Sequence, residues 1–313
     1  MTILPNRELL DVPTEENDPE PHAGEFADEE MIVRSQWRLF WRRFVRHRMA
    51  VISSVVLVLV IFACFSASWL APYPKNHQNL LVGPIGPSAH HWFGTDDLGR
   101  DQLTEMMYAG QISLEIGLAV ALISTLVGTA LGALAGYFSE WTDQVLMRVT
   151  DLFLIVPAIA ILAIAIKKFG NSAGTITLIL AGLGWMYIAR VVRSQILSIK
   201  EKEYVEAARA SGASNARIIV RHLLPNTIGP ILVNATLAIA AAIVTESTLS
   251  FLGLGVQPPT TSWGRMLSDA EGYVGTAKAH LLYFPGLAIL LTVMCVNFIG
   301  DGLRDAFDPQ SVR

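Results

Sequence analysis

The sequence predicts an all-α, polytopic membrane protein with six transmembrane helices and both termini in the cytoplasm. Of its 313 residues, 52% are hydrophobic and only 16% are charged. Mean hydropathy is +0.44. A chain of this length commonly makes two soluble domains, but this composition belongs to membrane proteins, and apolar stretches of membrane length recur along it.

Residues 1–33 form an acidic tail. Residues 1–30 hold ten acidic side chains against Arg7, so they carry −9 and leave +5 for the rest of a chain whose total is −4. Few large apolar residues occur there, so the segment cannot bury enough surface to offset its ordering entropy, and a disordered solvated tail is expected. A cleaved signal peptide is not expected, because the first apolar run begins only at Met49.

Residues 34–48 supply six arginines and no acid, interleaved with Trp37, Phe40, Trp41 and Phe44. This pattern predicts a basic helix lying at the headgroup boundary. Nucleic acid would meet the same charges and rings, but the position just before an apolar span favours the lipid bilayer.

A helix needs about 20 mainly apolar residues to cross a bilayer core. Within a membrane domain over residues 49–313, the candidates are Met49 to Leu70, Ser113 to Tyr137, Val145 to Ile166, Thr175 to Val192, Pro230 to Phe251 and Phe284 to Leu303. Alternating sides divide Lys and Arg as 16 against six, which predicts that the richer side, with both termini and Lys200 to Asn226, is cytoplasmic. Gly128, Gly132 and Gly136 predict a close helix–helix crossing on the second span.

The polar island between the fourth and fifth spans, at about residues 198–228, reads KEKEYVEAARASGASNARIIVRHLLPN from Lys200. Helix formers fill Glu203 to Ala210, Gly212 suits a left-handed stop, and Ser214 can cap a second helix that Pro225 is expected to end near Leu224. A helix–turn–helix follows, with Tyr204, Ala207 and Ala208 on one face and Ile218, Ile219 and Leu223 on another. By spacing alone, a solvated loop between two spans would serve as well.

Glu206-Ala207-Ala208, Gly212 and Leu224-Pro225 together resemble the cytoplasmic EAA signature of bacterial ABC-importer permeases. His222 departs from the general motif, which favours an apolar residue there, while RHLLPN is similar to the dipeptide and oligopeptide branch. FGTDDLGRD, SFLGLGVQPP, SWG and GDGLRDAFDP also resemble patterns of peptide-importer permeases, so the likeness covers roughly Arg34 to Pro309. The resemblance implies a multi-pass subunit of the prokaryotic inner or plasma membrane that forms half of a peptide path. It also implies partners: a second permease chain, two ATPase subunits that hold ATP and Mg, and an external substrate-binding protein. It places the ATPase contact on Glu203, Tyr204, Glu206, Ala207, Ala208, Arg209, Gly212, Ala213, Leu224 and Pro225.

No GxxxxGK[ST] phosphate loop occurs in this chain, so no cofactor is expected on it and ATP hydrolysis would have to be supplied by partners. No nucleophile–base or metal constellation stands out at membrane depth, which argues against an intramembrane enzyme. His90, His91, Asp96, Asp97 and Asp101 lack a metal-ligand spacing, and Cys64 and Cys295 are assigned no function.

Among ionisable residues in or near the spans, Glu115, Arg148, Asp151 and Glu246 are candidates for a functional role. Arg148 and Asp151 are three apart and could pair, whereas Glu246 has no local cation, which makes it the candidate for the substrate pathway. The alternative function class is a proton-coupled secondary transporter that titrates Glu246 or Asp151.

Overall fold

The computed structural model describes residues 36–307; the acidic tail and residues 308–313 lie outside the described residues. Twelve α-helices occur among them, with no strand. They are α1 (Gln36–Arg46), α2 (Arg48–Phe65), α3 (Ala67–Leu70), α4 (Gln102–Phe138), α5 (Glu140–Ile155) and α6 (Ala158–Phe169), followed by α7 (Ala173–Ile199), α8 (Glu203–Ala210), α9 (Asn215–Ile218), α10 (Leu224–Phe251), α11 (Trp263–Asp269) and α12 (His280–Phe307).

Five helical stretches are individually long and apolar enough to cross a membrane, and α5 with α6 meets the same measure only when taken together as one bent pair, which makes a sixth if the pair is a single span. The third span is therefore not the continuous helix expected over Val145 to Ile166. It breaks at Val156 and Pro157 with a bend of 88°. Pro157 has no N–H to continue the helical ladder, its ring would collide with a carbonyl of the preceding turn, and it biases Val156 to the extended conformation observed.

The bundle is centred on α4 and α7. A Cβ on Gly128 would lie 2.7 Å from the Trp185 carbonyl oxygen, one on Gly132 2.5 Å from that of Ala189, and one on Gly136 2.8 Å from Ile196 Cβ. The expected small-residue stripe thus sets the α4–α7 approach. On the next face of α4, Gly117 admits Ile243 of α10.

Helix α1 lies along the end of α12 through Phe40, Phe44, Ala306 and Phe307, with Ala50 of α2 in the same cluster and the Phe40 and Phe307 rings 4.6 Å apart. Trp41 points outward at 63% exposure. The basic helix is thus half a packing element, which an interfacial reading alone does not specify.

The connection from α3 to α4 is ordered by its own polar groups. The Asp96 carboxylate accepts from the backbone N–H groups of Leu98 and Arg100, each at 2.9 Å, and from Arg100 Nε at 2.6 Å. Asp101 caps α4 by accepting from Thr104 N at 2.9 Å, and His91 Nδ1 lies 2.9 Å from its other oxygen. Asp97 receives the Tyr273 hydroxyl, which joins the α3–α4 connection to the α11–α12 connection, and this contact holds the Tyr273 phenol above its ordinary pKa.

Candidate functional site

The island folds as a helix, a turn and a second helix. The acids Glu203 and Glu206 occupy the first turn of α8 and Arg209 its last turn, complementing the helix dipole. Gly212 follows at φ +79°, with Gly212 N–H donating to the Arg209 carbonyl at 3.0 Å and Ala213 N–H to that of Ala208 at 3.1 Å. This pair of bonds closes the helix C-terminus and requires the left-handed residue that glycine supplies most readily. Ser214 Oγ then accepts from Arg217 N–H and starts α9.

The face of α8 turned inward carries Val205, a residue the sequence pattern did not single out. Val205, 0% exposed, is its buried residue, and it shares a core with Ile188, Val192 and Ile196 of α7 and with Ile218, Ile219 and Leu223 after the turn. Glu203, Tyr204, Glu206, Ala207, Arg209 and Gly212 are exposed, while Ala208 and Ala213 are half-buried. The first helix is therefore pinned at one point and offers nearly all its remaining surface to solvent.

Pro225 does not end the second helix. A π-type turn over Ile219–Leu223 joins α9 to α10, so that a helical stretch from Asn215 to Phe251 runs through Pro225. The wider turn makes room for a ring that would otherwise meet the carbonyl four residues back, and Asn226 Nδ2 donates to the His222 carbonyl at 2.6 Å. Leu224 is half-buried and Pro225 exposed. Both sit at the root of α10, continuous with the island.

Sequence reasoning missed what holds the island. The turn between α4 and α5 places Ser139 and Glu140 at φ +52° and +47° and sits beneath it. Tyr137 Oη donates to Asn215 Oδ1 at 2.8 Å, Lys200 Nζ donates to Ser139 Oγ, and Arg193 Nη2 donates to Asp143 Oδ2 at 2.6 Å. Asp151 pairs with Arg190 of α7 and not with Arg148, the partner its three-residue spacing allowed, so α5 is tied across to α7. These contacts join residues 39 to 78 positions apart, a relation no local pattern exposes.

Glu246 lies elsewhere, near the C-terminal end of α10, and is 0% exposed. It faces the bundle, not lipid. Ser250 Oγ donates to its Oε1 at 2.7 Å, and Ser113 Oγ of α4 lies 3.5 Å from Oε2. Ser113 Oγ also accepts Trp263 N–H at 3.1 Å, and Ser262 Oγ reaches Ser250 Oγ at 3.3 Å. A Cβ on Gly264 would stand 2.5 Å from Ser247 Cα, so α11 is seated directly on α10. The SWG and SFLGLG segments thus meet around one carboxylate. Glu115, by contrast, is exposed.

Among the described residues no group of three or more His, Cys, Asp or Glu is placed to hold a metal ion. Residues 128–313 match the family described as binding-protein-dependent transport system inner membrane component, and residues 35–84 match the N-terminal TM domain of oligopeptide transport permease C. The chain is 40% identical over 279 residues to the glutathione transport system permease protein GsiD of Escherichia coli O157:H7, covering 89% of this chain and 92% of the relative. The same identity and coverage hold for the protein of that name from Shigella sonnei. This chain therefore belongs to the family of binding-protein-dependent transport system inner membrane components, as a non-catalytic, multi-pass permease of the peptide-importing ABC branch.

Proposed function

We propose that this permease forms half of a translocation path for di- and oligopeptides and takes its driving motion from separate ATPase subunits through α8. The observation that carries the proposal is the island's construction: a short helix, exposed over most of its surface, pinned by Val205 and wired through Lys200 and Asn215 to the α4–α5 turn. A groove in an ATPase subunit would receive Tyr204, Ala207 and Ala208, with Glu206 pairing to a basic residue. Displacement of α8 would then reach α7 directly and the broken span through Ser139.

The remaining partners are a second permease chain and an external substrate-binding protein. ATP and Mg reside in the ATPase subunits. The acidic tail, α8 and the α12 terminus lie on the cytoplasmic side, in agreement with the excess of Lys and Arg there. The relatives named for glutathione, a tripeptide, support peptide cargo. Glu246 serves the path from behind its wall, by fixing α11 to α10 and α4.

Uptake of labelled peptides into proteoliposomes containing the whole importer tests this function. ATP should drive uptake without a proton gradient. Uptake driven by a proton gradient without ATP would contradict it and favour a secondary transporter.

A further inference from the structure

A cavity of about 390 Å³ opens midway along α4, α7 and α10, and its lining includes Ser124, Ala158, Leu162, Tyr187, Asn234 and Thr245. Glu246 is not on that wall. Ala158 and Leu162 come from the first turns of α6, directly after the break at Val156 and Pro157.

That break restricts what can lie outside it. Residues 152–160 are all exposed, no backbone hydrogen bond closes α5 at Val156, and Pro157 has no N–H. Backbone carbonyls at the end of α5 and amides at the start of α6 are thus left open at membrane depth. Lipid cannot satisfy them, so such a break occurs where it is covered by protein or borders water. The cavity begins at this point, which supports water on its open side.

The polar groups of the wall share one character. Ser124 Oγ donates to the Ala181 carbonyl at 3.3 Å, Asn234 Nδ2 to the Pro230 carbonyl at 2.8 Å, and Thr245 Oγ1 to the Ala241 carbonyl at 2.7 Å. Each has used a donor within its helix or on its neighbour and keeps an oxygen able to accept, and Asn234 keeps one further N–H. The Tyr187 side chain is 62% exposed and adds one O–H. No charged side chain lines the cavity. Acceptor oxygens set on apolar ground suit the N–H groups of a peptide backbone and impose little selection on side-chain charge.

From these observations we infer that the cavity is this chain's share of the translocation path and that it receives cargo through peptide backbone N–H groups. The inference rests on the importer reading and adds the place and chemistry of passage.

The test uses the complete importer in proteoliposomes, a pool of isotope-labelled tripeptides and two substitutions on membrane helices. Ala241→Trp fills the cavity wall, and Val55→Trp alters an exposed face of α2. Ala241→Trp should lower ATP-driven uptake at least tenfold while peptide-stimulated ATP hydrolysis persists, and Val55→Trp should leave both unchanged. A second measurement stands if Ala241→Trp fails to assemble: a tripeptide whose lysine side chain carries a maleimide should be captured by Ala241→Cys during turnover and not by Val55→Cys. Wild-type uptake by Ala241→Trp, equal capture at the two positions, or no capture with uptake intact would overturn the inference. Wild-type importer that fails to take up peptides with ATP would instead overturn the reading beneath it.

Discussion

Val205→Ala separates the anchoring of the coupling helix from its docking surface. Val205 is fully buried against Ile196, Ile218 and Leu223, whereas the residues offered to a partner are exposed. Truncation removes two methyl groups, worth about 0.8 kcal/mol each by transfer, and the cavity left behind raises the cost to about 2 kcal/mol. At about 1.4 kcal/mol per tenfold, the population of α8 detached from its seat rises about 30-fold. Hydrogen exchange of the amides at 203–210 should accelerate by that order in the purified importer. ATPase subunits should still copurify, and peptide-stimulated ATP hydrolysis should fall severalfold. Exchange at the wild-type rate, with full stimulation, would refute the claim that Val205 is the pin.

Three further outcomes follow from other parts of the structure. Glu246→Gln keeps an acceptor for Ser250 and Ser113 and should preserve assembly, while Glu246→Leu strands buried hydroxyls at about 1–3 kcal/mol and should lower the Tm of the purified complex; equal Tm values would show the network to be idle. Gly132→Leu drives a side chain into the Ala189 carbonyl and should cut the yield of assembled complex, whereas Gly182→Ala, with nothing within 4 Å, should not; equal yields would contradict the α4–α7 contact. In intact cells, an impermeant thiol reagent should label Asp97→Cys and spare Glu206→Cys, and the reverse pattern would invert the proposed orientation.

Hydrophobic run length was sufficient to read five of the spans, because the signal is local and composition carries it. The glycine stripe on α4 likewise announced its partner-facing edge. The third span was misread because mean hydropathy is insensitive to a single proline, whereas the backbone is not. Pro225 shows the converse: a proline read as a stop was absorbed by a π-type turn, an accommodation supplied by the packing of Ile219 and Leu223 in the core. Gly212 and Ser214 were legible since turn closure and capping depend on neighbours in sequence. The pairs Tyr137 with Asn215 and Arg190 with Asp151 were not, because they exist only once α4, α5 and α7 have been brought together.

Copurification and turnover of the Gly212→Val, Glu206→Arg double variant test the central claim most directly. Nothing lies within 4 Å of a Cβ on Gly212, so the valine acts through backbone strain at φ +79°, about 1–2 kcal/mol, and not through a clash. Glu206→Arg replaces attraction toward a basic partner residue by repulsion. Neither position touches a membrane helix, so the variant should insert and pair with its second permease chain normally. It should retain less of the ATPase subunits and lose peptide-stimulated ATP hydrolysis. Normal ATPase recovery with full stimulated turnover would contradict α8 as the coupling element and leave the island an ordinary loop.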